Sequence, residues 1–286
     1  MSAATRAAGV RRGPRSRTWL AALPLLLFAG LCFGVPLAAL LHGAVTDAHG
    51  LTGAHVRRSL QGPYLGSLAG SIRLSALTAL IGSVAGLLIA QAVVTSRREW
   101  LRSATLTASG VLANFGGVPL AFAFIATAGI SGVVTRLADL ESLGWNLYSF
   151  TGLTVVYLYF LTPLMVITIV PALDGLRPQW REAAQNTGAS TWQFWRMVGL
   201  PVLAPSLLGG FVLLFGSAFA AHATAAALVG GSVPLVTLKI ADALAGNVMA
   251  GQENVALALG LDMIVIAGLV MAVYLPLQRR SARWLR

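Results

Sequence analysis

The chain has 286 residues, of which 57% are hydrophobic and only 10% charged, and its mean hydropathy is +0.78. Soluble domains carry about a quarter charged residues, so this balance excludes an ordinary water-soluble globule and points to a membrane protein. A net charge of +11 raises the question of a nucleic-acid partner, but the basic residues are dispersed over four short segments and not gathered on one face, which excludes that class.

In chain order, an Arg-rich opening (residues 1–18, MSAATRAAGVRRGPRSRT) leads into an apolar run at Trp19–Leu41. At about 23 residues the run exceeds the roughly 7–15 of a cleaved signal, so it reads as a retained first membrane helix. The lone cysteine, Cys32, falls inside it and reads as a small buried hydrophobe, with no intramolecular disulfide possible. Further spans follow at Leu68–Thr95, Ala104–Gly129, Phe150–Leu173, Val202–Gly230 and Val255–Leu277, giving an all-α membrane domain of six helices over residues 19–277. A basic tail, residues 278–286, closes the chain. Fifteen of the twenty basic residues fall on one side of this arrangement, which predicts that both termini and the segment at about 174–201 are cytoplasmic.

Within the spans, Gly82, Gly86 and Ala90 recur at four-residue steps, as do Ala113, Gly117 and Ala121; such ridges let helices approach closely. The third span is interrupted by ANFGGVP, where Gly116 and Gly117 precede Pro119. Two readings fit: a packed kink, or a broken helix whose backbone groups meet a solute, with Asn114 a candidate contact. His222 lies along the fifth span, as a packing histidine or a solute ligand. Asp262 lies in the sixth, and an acid at that depth must face protein or water. It fits a bundle-facing structural role, a pathway for a cation, or a pair with a residue such as Arg73.

The segment Arg181–Pro201, REAAQNTGASTWQFWRMVGLP, is polar and Trp-rich between two apolar spans. Pro178 suits a first helical position, and Gly188 suits a left-handed helix stop. Ser190 and Gln193 have capping-box spacing for a second short helix carrying Trp192, Phe194 and Trp195, and Pro201 marks the start of the fifth span. The expected object is a helix–turn–helix lying across the inner surface. It fits an interfacial hairpin anchored by tryptophan and a protein-docking knob equally well.

The same residues resemble the EAA loop of the permease subunits of ABC importers: Glu182-Ala183-Ala184, then Gly188, then Val198, Leu200 and Pro201, all at the family spacing. Val198 stands where the family often has isoleucine. The resemblance implies the type I importer permease fold, six helices with both ends inside, in a bacterial inner membrane. It implies that Glu182, Ala183, Ala184, Gly188, Trp192, Leu200 and Pro201 belong to a coupling helix that docks in an ATPase subunit. It also places the pathway on the central spans, where Asn114, Gly116, Gly117, His222 and Asp262 are the candidates. The implied partners are an ATP-binding-cassette ATPase dimer, a second permease (the same or a related chain) and an extracytoplasmic substrate-binding protein. The run from LYSFTGLTVVYLYFLTPLMVITIVPAL through the EAA loop, then GSAFAAHATAAALVGG and ENVALALGLDMIVI, looks like permeases for polyamine, phosphonate, iron or thiamine.

The sole lysine, Lys239, is outside any G-x-x-x-x-G-K-[ST] pattern, so the chain has no P-loop, and ATP and Mg are expected on the partner. No catalytic constellation or metal-ligand cluster is present in the sequence, which argues against an enzyme. An ion-coupled secondary transporter or channel is the alternative, and it would favour several intramembrane acids where this chain offers Asp262.

Overall fold

A computed structural model describes residues 18–47, 50–96, 98–245 and 253–281; most of the Arg-rich opening and the end of the basic tail lie outside them. Helix α1 (Thr18–Val45) runs into a two-residue antiparallel ladder, β1 (Thr46–Asp47) with β2 (Gly50–Leu51). Then come α2 (Ala54–Ser59), α3 (Gly62–Thr95), α4 (Glu99–Asn114), α5 (Val118–Ala128), α6 (Val133–Leu137) and α7 (Phe150–Asp174). They are followed by α8 (Pro178–Asn186), α9 (Thr191–Phe194), a π-helical turn (Trp195–Gly199), α10 (Leu200–Ala220), α11 (Ala223–Leu228), α12 (Val236–Leu244) and α13 (Glu253–Ser281).

Among the described residues, six stretches are long and apolar enough to cross a membrane: Leu23–Val45, Gly62–Thr95, Val118–Leu137, Phe150–Asp174, Thr191–Ala220 and Glu253–Arg279. Four agree closely with the spans expected from sequence. The third and fifth differ. The expected helix Ala104–Gly129 divides at Phe115–Gly117 into α4 and α5, because Gly117 adopts φ +78°, which a continuous right-handed helix cannot hold. The small-residue ridge Ala113, Gly117, Ala121 therefore belongs to no single helix. The expected fifth span, Val202–Gly230, stops at Ala220 and restarts as α11.

The core is built on α7, which packs against α3, α4 and α10. Leu153, Val156, Tyr157, Leu161, Met165 and Ile169 are all at most 1% exposed. Glycine sets the approach distance: a Cβ at Gly86 would stand 2.5 Å from Met165 Cβ, so α3 can seat against α7 only with hydrogen there. This bears out the Gly82, Gly86, Ala90 ridge as a packing surface, with all three residues buried.

At the periphery, α1 touches α13 and α2 through its last turns, where Leu40 lies over Gly260 and Gly43 under Leu257. Its earlier turns present Leu25, Leu27, Leu31 and Phe33 to the surroundings, an apolar surface suited to lipid. Cys32 is exposed on this free part of α1, and the expectation of a buried hydrophobe is corrected: no described residue packs over that turn.

Candidate functional site

The segment after α7 forms an elbow whose every local feature has a backbone cause. Pro178 opens α8 at a position where a missing N–H costs nothing. The helix stops because Gly188 turns left-handed, at φ +79°. That turn lets Ala189 N–H reach Ala184 O (2.9 Å) and Gly188 N–H reach Gln185 O (2.9 Å), the paired bonds of a Schellman ending. Ser190 then starts α9: Gln193 N–H donates to Ser190 Oγ (3.2 Å), and Ser190 N–H donates to Gln193 Oε1 (2.7 Å).

Beyond this point the structure departs from the expected second short helix. Pro201 stands at the start of α10, as expected, but no loop precedes it. Instead α9 continues through the π turn into α10, and Leu200 N–H bonds Trp195 O, five residues back. Pro201 and Pro205 have no N–H to donate, so the ladder must re-register near them, and a π turn is one way to do so. Gly199 makes room for it, since a Cβ there would lie 2.5 Å from the Trp195 ring.

The elbow is open. No residue of α8 is buried, and Glu182 and Gly188 are exposed. Trp192 is 69% and Met197 73% exposed. Between the two arms lies a groove of about 580 Å³ lined by Trp180, Ala183, Ala184, Phe194, Met197 and Val202, and mostly apolar. Leu200 is exposed and Pro201 half-buried at the start of α10.

A second feature sits where the two broken spans meet. Helix α5 packs on α11, so the breaks at Phe115–Gly117 and Ala221–His222 face one another. Gly117 N–H donates to Thr224 Oγ1 (2.8 Å), and the Thr224 hydroxyl lies 3.4 Å from Gly117 O as a donor. Tyr157, buried in α7, donates its hydroxyl to Ala221 O (2.9 Å), a carbonyl freed when α10 ends. Backbone groups released within apolar surroundings are thereby matched to side chains, as such a break requires. His222 Nδ1 is buried with no hydrogen-bond partner, and the His222 carbonyl accepts from Ala226 N–H at the start of α11.

The other candidates are placed as follows. Asn114 is exposed at the end of α4 and folds back to donate to Gly110 O (2.9 Å). Gly116 and Gly117 form the break itself. Asp262 is elsewhere, on a helix that packs against α1, α2, α10 and α12. It is 9% exposed and its Oδ2 is buried with no hydrogen-bond partner, while Arg73 is exposed and forms no ion pair with it. The structure thus gathers Asn114, Gly116, Gly117 and His222 at one place and leaves Asp262 apart. Thr224 and Tyr157, which hold the breaks, carry no local sequence signal that would have singled them out.

Known proteins share this architecture. Residues 82–283 match the family described as binding-protein-dependent transport system inner membrane component. The sulfate transport system permease protein CysT of Escherichia coli is 38% identical over 68 residues, 24% of each chain. The thiamine transport system permease protein ThiP of Haemophilus influenzae is 27% identical over 173 residues, 58% of this chain and 31% of that one. These matches therefore span only a quarter to a third of those relatives' length. A crystal structure of a bacterial alginate ABC transporter, in complex with an alginate pentasaccharide-bound periplasmic protein, superposes with a TM-score of 0.70 at 20% identity, covering 92% of this chain and 95% of that chain. The two share a fold.

Proposed function

This chain belongs to the family of binding-protein-dependent transport system inner membrane components, which are non-catalytic permease subunits, and from that premise we propose that it forms the solute pathway of an ATP-driven importer. In this reading residues 174–201 lie on the cytoplasmic side, with both termini, as the distribution of basic residues favours. Two ATPase subunits, which bind ATP and Mg, seat on the elbow. A second permease and an extracytoplasmic binding protein complete the assembly. The facing breaks at Phe115–Gly117 and Ala221–His222 are the point at which the pathway opens and closes. Relatives named for sulfate and for thiamine support a small charged solute; thiamine is also among the solutes suggested by the sequence resemblance.

One observation carries this proposal: the elbow's second arm and the break share a single rod. From Thr191 to Ala220 the chain is helical without a loop, 30 residues, or about 45 Å. A push on α9 therefore reaches Ala221 without passing through a loop. Glu182 supplies an exposed charge and Trp192 an exposed aromatic anchor for the partner, the residue types that dominate protein contacts.

The test is a crosslink. A Glu182→Cys variant in a Cys32→Ser background, purified with its membrane complex, should join covalently to an ATP-hydrolysing subunit through a short bifunctional reagent. Uptake into proteoliposomes should need ATP and persist when ion gradients are dissipated. An elbow that crosslinks to no ATPase, with uptake tracking an ion gradient, would replace this reading with that of a secondary transporter.

A further inference from the structure

The elbow has a second mechanical connection. Asp174, the last residue of α7 and only four positions before Pro178, forms an ion pair with Arg102 near the start of α4. At its other end α4 runs into Phe115–Gly117, and Gly117 is bonded to Thr224. We propose that the Arg102–Asp174 pair is a positioning contact of the transport cycle: it ties α4 to the elbow, so that elbow movement reaches both sides of the facing breaks, through α10 on one side and α4 on the other. This rests on the reading of residues 174–201 as the ATPase-docking elbow.

Three features support the assignment. First, α4 is a rod of 16 residues, and its points of polar attachment to other segments are at its ends: the ion pair at Arg102 and, just past Asn114, the Gly117–Thr224 bond. Second, part of its flank borders a cleft lined by small side chains. A cleft of about 390 Å³ lies between Ala104, Ala108 and Leu112 of α4 and Thr162, Pro163 and Val166 of α7, with Ile89 of α3 closing one side. The cleft leaves part of this flank unfilled, room into which α4 can shift while the rest of it stays packed on α7. Third, the pair suits signalling better than holding the fold. Both side chains are more than a third exposed, and exposed pairs contribute little to stability. Yet Arg102 and Asp174 are 72 residues apart and join two separate helices at the root of the elbow.

The two rods meet at Gly117 and Thr224, so the geometry predicts that loss of either input leaves half of the break unmoved. The complete transporter, with its ATPase subunit and binding protein in proteoliposomes, provides the test. The reporter is Val118→Cys at the start of α5, an exposed position beside the break on the side that α4 enters, in a Cys32→Ser background. Its rate of labelling by a quaternary-ammonium methanethiosulfonate is measured with and without ATP plus vanadate. With Arg102 and Asp174 intact, trapping nucleotide should change that rate by about tenfold, within the usual range of coupling between two sites.

Arg102→Asp or Asp174→Arg alone should retain the ATPase subunit on purification but lose most of this change. The reversed pair, Arg102→Asp with Asp174→Arg, should recover it. Full nucleotide-driven change in both single variants would overturn the proposal. Loss in both with no recovery in the reversed pair would also overturn it, since packing and not pairing would then be at issue, as would loss of the ATPase subunit itself. Absence of any nucleotide effect with the native pair in place, and with no ATPase bound, would instead remove the underlying reading of the elbow and the proposal with it.

Discussion

The elbow and the facing breaks are both places where a helix is made to stop, and they stop it by opposite means. In the elbow the stop is local. Gly188 turns left-handed, Ala189 and Gly188 satisfy the carbonyls of Ala184 and Gln185, and Ser190 starts the next helix within two residues. At the breaks it is distant. The carbonyl of Ala221 is satisfied by Tyr157, 64 residues away, and the N–H of Gly117 by Thr224, 107 residues away. A locally sealed turn keeps its shape whatever its neighbours do, which suits a part that must transmit force. A turn sealed across helices keeps its shape only while those helices stay in place, which suits a part that must open.

The sharpest way to break this contrast is to attack the local stop. Gly188→Val places a β-branched residue at φ +79°, although a Cβ there meets nothing within 4 Å, so the penalty is backbone strain and not a clash. With the two carbonyl bonds of the Schellman ending lost as well, the cost is about 3 kcal/mol. Coupled ATP hydrolysis should fall by about a hundredfold, with membrane insertion unchanged, and Gly188→Ala should lie between. Native coupling in the valine variant, measured on the reconstituted complex, would mean that the turn is not needed as a rigid lever. Trp192→Ala comes next. At 69% exposure the indole contributes little to the fold, so its removal should leave thermal stability intact. As an anchor for a partner it is worth about 2 kcal/mol, or roughly a thirtyfold weaker hold on the ATPase subunit by titration.

The same contrast explains what the sequence could disclose. Pro178, Gly188 and the Ser190–Gln193 box act on residues within five positions of themselves, and the structure has each of them in the expected role. The EAA spacing, read on those residues, leads to the family that residues 82–283 match. The glycines of ANFGGVP disclose one break for the same reason, though the apolar run around them still reads as a single span, Ala104–Gly129. The other break is not legible. AFAAHATAAAL has neither glycine nor proline, and its alanines favour a continuous helix, so the pattern carries the fifth span through to Gly230. What stops it is a tyrosine hydroxyl from α7 and packing of α11 on α5, which no local pattern encodes. Arg102 and Asp174 are visible in the sequence only as charges near span ends. Pro201 opens α10 as expected, but the second short helix is not separate from the fifth span: proline removes donors, and the chain absorbs the loss as a π turn.

The cross-helix seal offers two smaller perturbations. Thr224→Val preserves shape and removes the acceptor for Gly117 N–H. A buried N–H left alone costs about 1–3 kcal/mol, so the breaks should separate more readily. The expected signs are a lowered melting temperature of the purified complex and faster thiol labelling near His222 without nucleotide. A matching effect on coupling as large as that of Gly188→Val would contradict the division between lever and gate.

Tyr157→Phe should have the smallest effect of the four, and the reason discriminates between the groups at the two breaks. The phenol donates to Ala221 O, just past the end of α10. A carbonyl has two lone pairs and tolerates partial satisfaction better than an N–H tolerates none. The phenyl ring of this variant would still fill the space in the core and keep the tilted contact that Tyr157 makes with Phe160, now 5.5 Å between centroids. The loss should therefore be about 1 kcal/mol, less than for Thr224→Val, with the same sign in thiol labelling. An effect larger than that of Thr224→Val would show that the α10 side of the break, and not the Gly117 side, is the seal that the cycle works against.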